Sequence, residues 1–219
     1  MTETANVPHT APLRIGDRAP DFKADSTHGP IEFSKFADGH WVVLFSHPAD
    51  FTPVCTTEFV GFASKADEFE KRGVKLIGNS VDSVFSHIAW VRDIEKNHKV
   101  GIKFPVIADL DQKVAHLYGM VHEPSSVTAT VRCVFVIDPK MTVRAMIYYP
   151  MSAGRNIDEV LRLIDALQIG DEKGVATPAN WKKGEDCMVP PPKTQADAEK
   201  RVNDKSLKVT DWYFSKKTV

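Results

Sequence analysis

The sequence predicts an α/β fold: a central mixed sheet flanked by helices, followed by a C-terminal arm or small domain. Three observations carry this. Apolar runs of strand length alternate with segments of helical periodicity through the first half of the chain. A hairpin pattern and a further helix follow, so the sheet gains antiparallel members. After about Gly170 the periodicity gives way to Pro178, Pro190-Pro191-Pro192 and a rise in lysines.

The elements follow in order. Residues 1 to about 12 are polar and Pro-containing and read as a loose tail. From 13 to 40, short extended pieces are broken by Gly16, Pro20, Gly29-Pro30 and Gly39. Trp41-Val42-Val43-Leu44-Phe45 reads as a buried strand. A helix opens at Pro53, with Thr52 in the cap position and Phe59, Phe62, Ala63, Ala66 and Phe69 at helical spacing. Val74–Gly78 is a second buried strand. Val84, Ile88, Val91 and Ile94 predict a helix over about 83–96. Residues 104–108 form a short extended segment, and Asp111 suits the cap of a short helix carrying Val114, Leu117 and Tyr118. In Val131–Ile137 the residues Val131, Cys133, Phe135 and Ile137 share one strand face. The turn Asp138-Pro139-Lys140 leads into Val143–Tyr149, completing a hairpin. Asn156 and Glu159 make a capping-box pattern ahead of the stripe Ile157, Val160, Leu161, Ile164 and Leu167. Strand–helix–strand–helix, then hairpin and helix, is a thioredoxin-like arrangement. The domains predicted are 13–170 for the sheet domain and 171–219 for the arm, whose docking anchors are Trp181, Trp212, Tyr213 and Phe214.

Composition narrows the function. The 219 residues carry 28 Lys plus Arg against 29 Asp plus Glu, a net charge of −1, so nothing favours nucleic acid. No run is long enough to span a bilayer, and the N-terminus has no basic start or apolar core of a secretory signal. Three scattered cysteines make no disulfide framework, and the lack of a CxxC argues against a dithiol pair or zinc knuckle. The expectation is a cytoplasmic chain in which a lone reactive thiol persists, with no cofactor and no metal.

Cys55 carries the chemistry. It lies in the first turn of the helix that follows the first strand, where unpaired backbone N–H groups and the positive end of the helix dipole favour a thiolate. A nucleophile also needs a partner and stabilisation of the leaving charge. Thr52 lies three residues before Cys55, on the same side of the turn, so its hydroxyl can approach the sulfur. Pro48 can shield the thiolate, and His47 at the strand end can hydrogen-bond near it. Glu58 sits one turn on, where an acid suits the dipole. Arg132 opens a strand whose other face is apolar, and Arg155 precedes a helix N-terminus, against the dipole preference. Both are placed against local preference and are candidate site cations. Cys133 alternates with core residues and reads as packing. Cys187, the one cysteine of the arm, reads as a surface or interface thiol with a possible resolving role.

Pro48, Thr52 and Cys55 reproduce the peroxiredoxin signature PxxxTxxC. The stretch Phe45–Glu58 resembles the one-cysteine branch of that family, and the likeness runs from about Gly16 to Val189, including Gly154-Arg155-Asn156 and Thr177–Trp181. The tail Asp211–Ser215 resembles archaeal members of the branch. The resemblance implies that Cys55 is a peroxidatic cysteine, oxidised to a sulfenic acid by hydrogen peroxide or an organic hydroperoxide. It implies that Thr52, the Cys55 N–H and Arg132 polarise the O–O bond, and that Arg155, Glu58 and His47 orient Arg132 or line the pocket. It also implies an external thiol or other reductant and a homodimer. Two departures stand out. The serine lipase motif of some animal members is replaced by Ala37-Asp38-Gly39-His40-Trp41, so phospholipase activity is not implied. Ser215 stands in a tail segment that carries cysteines in related archaeal chains. Two competing readings remain open: a cysteine hydrolase using Cys55 with His47, and a peroxide sensor or chaperone-like scaffold.

Overall fold

The computed structural model describes residues 12–219, so the expected N-terminal tail lies almost wholly outside the described residues. The chain divides after Arg155 into two compact units. The first opens with a two-stranded ribbon, β1 (Lys23–Ala24) and β2 (Ile31–Glu32), and a short helix α1 (Phe33–Ala37). Then come β3 (Trp41–Ser46), α2 (Pro53–Ser64), α3 (Ala66–Glu70), β4 (Val74–Ser80), α4 (Val84–His98), β5 (Val106–Ala108), α5 (Lys113–Leu117), β6 (Arg132–Ile137) and β7 (Val143–Tyr149). The sheet runs in the order β5-β4-β3-β6-β7. β3, β4 and β5 are parallel, while β6 and β7 form the antiparallel hairpin beside β3. This is the mixed, thioredoxin-like sheet that the element order predicts.

Every residue of β3 is buried, which is why its sequence is continuously apolar rather than alternating. Val42 and Leu44 point into one core with Phe33, Ile77, Tyr118, Cys133 and Phe135. Phe45 points to the opposite face, where its ring stacks on Phe62 at 4.1 Å and meets Phe59 edge-on at 5.6 Å. These contacts seat α2 on the sheet and so set the position of its first turn, which carries Cys55.

Three local details depart from the sequence reading. The helix after Cys55 breaks at Lys65 into α2 and α3. The buried stripe of α4 is His87, Trp90 and Ile94, while Ile88 is exposed. In α5 the cap position falls to Gln112, and buried Asp109 accepts hydrogen bonds from Val114 N and Ala115 N. Asp111 accepts one weak bond from Lys113 N, and Leu117 is exposed.

The second unit comprises α6 (Ile157–Lys173), β8 (Cys187–Met188), α7 (Gln195–Val202), β9 (Lys208–Asp211) and β10 (Phe214–Lys217). Its three strands pair antiparallel in the order β8-β10-β9. Asn156 caps α6 by accepting from Glu159 N, as the capping pattern predicts. Val175, Trp181 and Cys187 form a small core with Ala166 and Ile169. Cys187 is therefore buried, not the surface thiol expected from its polar surroundings. The division after Arg155 falls earlier than the 170/171 boundary read from composition, because α6 groups with the second unit. No helix among the described residues is long and apolar enough to cross a membrane.

Candidate active site

The turn 47–52 links the end of β3 to α2. Thr52 occupies the cap position in extended conformation, and Pro53 is the first helical residue. Cys55 follows in the first turn and is fully buried. Arg132, the first residue of β6, donates from Nη1 to Cys55 Sγ at 3.2 Å and to Glu58 Oε2 at 2.8 Å. Its Nε and Nη2 donate to Met151 O at 2.8 and 2.7 Å, so the guanidinium is held on two sides. Its strand neighbour Cys133 faces the opposite core, which is the period-two alternation that turns Arg132 toward α2.

Glu58 is the hub. Beyond Arg132 it accepts from Arg155 N and Nε at Oε1, both at 2.9 Å, and from Arg155 Nη2 at Oε2, 2.7 Å. Arg155 Nη1 donates to Ser46 O and Cys133 O, and its guanidinium lies 5.2 Å from the centroid of Phe45 and 5.5 Å from that of Phe62. Glu58, Arg132 and Arg155 are all buried. Two guanidiniums against one carboxylate leave one positive charge in surroundings that penalise it, and Cys55 Sγ lies in contact with the Arg132 guanidinium. Glu58 is thus more than a dipole-favoured surface acid.

Thr52 departs from its expected contact. Its Oγ1 donates to Ala49 O at 2.8 Å, and no hydrogen bond joins it to the sulfur among the described contacts. Its hydroxyl proton is committed, which leaves lone pairs that accept only. His47 departs too. Its Nε2 lies 2.8 Å from Asp50 Oδ1, and its Nδ1 is buried without a partner. The Cys55–His47 dyad that a cysteine hydrolase needs is absent from the described contacts. Pro48 is half-buried beside it.

Asp50 and His87 are site residues that the sequence does not announce. Asp50 Oδ2 lies 2.8 Å from His87 Nδ1, and His87 Nε2 lies 3.0 Å from Ile107 O. Burial raises the Asp50 carboxyl, but hydrogen bonds from both histidines outweigh it and hold the group well below the usual carboxylate range. Burial pushes His47 below the usual histidine value. The three side chains lie close enough to hold a metal ion. Their 2.8 Å contacts are hydrogen-bond distances, and each carboxylate oxygen is already engaged by a ring nitrogen. An acid between His47 and Phe51, in a turn otherwise short of charge, is the one signal available in the sequence.

Residues 15–146 match the AhpC/TSA family, and residues 166–205 match the C-terminal domain of 1-Cys peroxiredoxin. A peroxiredoxin of Aquifex aeolicus is 54% identical over 216 residues, covering 94% of this chain and 97% of the relative. The yeast mitochondrial 1-Cys peroxiredoxin, solved for its thiol-resolving mechanism via glutathione/thioredoxin systems, is 45% identical with a TM-score of 0.85, over 94% of this chain and all of that one. A cysteine-to-serine mutant of peroxiredoxin 6 of Arenicola marina is 38% identical with a TM-score of 0.84, over 94% of this chain and 98% of that one. A thioredoxin-like sheet, a buried cysteine under an arginine and these matches along nearly the whole length lead to one assignment: the chain belongs to the peroxiredoxin family, in its one-cysteine branch, and is a thiol-dependent peroxidase.

Proposed function

We propose that Cys55 is the peroxidatic cysteine and that Arg132, Thr52 and Pro48 frame its reaction with hydrogen peroxide and small organic hydroperoxides. One observation carries this: the 3.2 Å contact from Arg132 Nη1 to Cys55 Sγ, with both residues buried. In the reaction the thiolate sulfur attacks the terminal oxygen of R–O–O–H. An S–O bond forms as the O–O bond breaks. The attacked oxygen keeps its hydrogen and becomes Cys55–S–OH, and RO⁻ leaves and takes up the proton shed when the thiol ionised. Sulfur loses two electrons and the peroxide gains them.

Each residue has a part that its geometry supports. Arg132 accommodates charge passing from sulfur to the departing oxygen, worth about 3 kcal/mol by analogy with an oxyanion donor. Thr52, its proton given to Ala49 O, accepts from the peroxide O–H. Pro48 offers no N–H and keeps water from the sulfur. Glu58 and Arg155 hold the Arg132 fork in register, and His47 serves the turn through Asp50.

Intact-mass spectrometry after one equivalent of hydrogen peroxide tests the assignment. The expected product gains one oxygen, located at Cys55. Cys55→Ser consumes no peroxide, and Cys133→Ser stays near the parent. Equal losses from the two changes would defeat a single nucleophile. Turnover draws on an external thiol, a reading supported by the burial of Cys187 beside Trp181, which pushes its thiol up. A loss of two hydrogens joining Cys55 and Cys187 would overturn that reading.

All three cysteines are unpaired, which suits a reducing cytosol. We place the enzyme there as a homodimer. Trp212, Tyr213 and Phe214 stand exposed together at the β9–β10 turn, and aromatic side chains are what interfaces are enriched in. Size-exclusion chromatography at micromolar concentration is expected to give a dimer, and a monomer alone counts against it.

A further inference from the structure

The turn that presents Thr52 and Cys55 carries strain. Phe51 has φ +53°, a left-handed conformation that a non-glycine residue adopts at a cost of about 1–2 kcal/mol. Such a residue persists only where its surroundings over-determine it. The surroundings here converge on Asp50, one residue earlier. Its backbone N donates to Asp82 Oδ2 at 3.0 Å, and Asp82 is itself held by Ser80 Oγ at 2.8 Å. Its carboxylate meets His47 at the end of β3 and His87 on α4, and His87 reaches on to Ile107 O in β5. Asp50 therefore ties the turn to the ends of β3 and β4, to α4 and to β5.

The proton inventory sharpens this. Both ring nitrogens of His87 are engaged, one by the Asp50 carboxylate and one by the Ile107 carbonyl. His47 needs only one proton, on Nε2, because Nδ1 has no hydrogen-bond partner. Buried hydrogen bonds of this kind hold their geometry, since breaking one leaves a polar group unsatisfied away from water. Nothing in this cluster touches the Cys55 sulfur among the described contacts.

We propose that Asp50 and His87 form a positioning pair that sets the peroxidatic turn, fixing where the Thr52 oxygen stands relative to Cys55. The inference rests on Cys55 being the nucleophile, yet it concerns a different property. The pair controls alignment of the peroxide, whereas Arg132 and the helix terminus control the sulfur's charge. The two are separable by reagent. Alkylation of Cys55 by iodoacetamide needs the thiolate and no oxygen-aligning acceptor. Oxidation by hydrogen peroxide needs both.

The experiment compares the parent with Asp50→Asn, His87→Gln and the core change Val114→Ala, which removes buried volume elsewhere in the first unit. Each is measured for unfolding midpoint, for the second-order rate of Cys55 oxidation by hydrogen peroxide, and for Cys55 alkylation by iodoacetamide. A displacement near 1 Å of an aligning group lowers a rate by about 100-fold, so Asp50→Asn is expected to slow oxidation by that order while alkylation stays within a few-fold. His87→Gln keeps a donor toward Asp50, so its loss is expected to be smaller. Val114→Ala is expected to lower the midpoint and leave both rates near the parent. Oxidation within about threefold of the parent in both Asp50→Asn and His87→Gln would overturn the proposal, as would equal losses of oxidation and alkylation. Should Asp50→Asn not fold, His87→Gln decides by the same split. Failure of the parent to be oxidised at Cys55 would instead sink the nucleophile assignment.

Discussion

At the scale of single residues the site is a problem in charge accounting. Arg132 and Arg155 share one carboxylate, Glu58, in a region closed to water. Arg132 also contacts Cys55, and that contact makes a specific prediction. Arg132→Met keeps much of the side-chain volume but removes the cation and the donor to Sγ. It is expected to lower the second-order rate of peroxide reduction by about 10²–10³-fold, as loss of one oxyanion donor does. A stopped-flow rate within tenfold of the parent would remove Arg132 from the chemistry. Cys133 is a useful internal contrast. Burial pushes its thiol up to about 11, and Ser46 Oγ lies 2.8 Å away. The two sulfurs meet different partners: a guanidinium donates to Cys55, whereas Cys133 has the Ser46 hydroxyl. Much of this is legible in the sequence. Thr52, Cys55 and Glu58 recur at three-residue spacing from the cap of one helix, and Arg132 and Arg155 betray themselves by standing where local preference disfavours them. Asp50 and His87 do not, because their partnership joins residues 37 apart and exists only after folding.

Elements show the same division between local and long-range information. Strands β3, β4 and β6 are legible because buried strands are rich in apolar residues, β7 through the turn that precedes it, and α6 through the Asn156 cap. The face of α4 is where periodicity misleads. A hydrophobic count selects Val84, Ile88, Val91 and Ile94, yet the buried stripe is His87, Trp90 and Ile94. The polar atoms find partners: His87 on Asp50 and Ile107 O, Trp90 Nε1 on Thr56 Oγ1 at 3.3 Å. A histidine becomes a core residue once both nitrogens are satisfied, and sequence periodicity cannot see that. The same helix ends on exposed Lys99, at φ +57° with its N–H donating to Glu95 O. This left-handed cap is where glycine is favoured. Lys99→Gly is expected to raise stability by about 1 kcal/mol, read as a higher denaturant midpoint with unchanged slope. An unchanged or lower midpoint would mean that the lysine side chain supplies stabilisation of its own.

For the whole molecule, the near-balance of charge removes one cause of pH sensitivity and exposes another. With 28 basic and 29 acidic side chains, self-repulsion is small near neutrality, so the acid response rests on buried groups. Composition locates the arm through its prolines and lysines but cannot show that α6 groups with it, since that depends on contacts formed in three dimensions. It is equally silent on titration. His47 has a folded pKa below its unfolded value, because burial favours the neutral ring. As pH falls through the unfolded value of about 6.5, the unfolded chain binds a proton that the folded chain refuses, and stability declines. Asp50 is also depressed, so its contribution is complete above about 4 and is lost as pH falls further. Asp109 runs the other way: burial raises its carboxyl, so the folded chain takes up a proton first and partly offsets the loss above pH 4. The expected curve of stability against pH is level above neutrality, declines from about 6.5 downward, and steepens below about 4. Denaturant titrations at half-unit pH steps measure it. His47→Gln removes the upper decline and leaves the lower one if the assignment holds. Persistence of the decline near 6.5 in that variant would transfer it to another histidine and release His47 from its neutral, buried state.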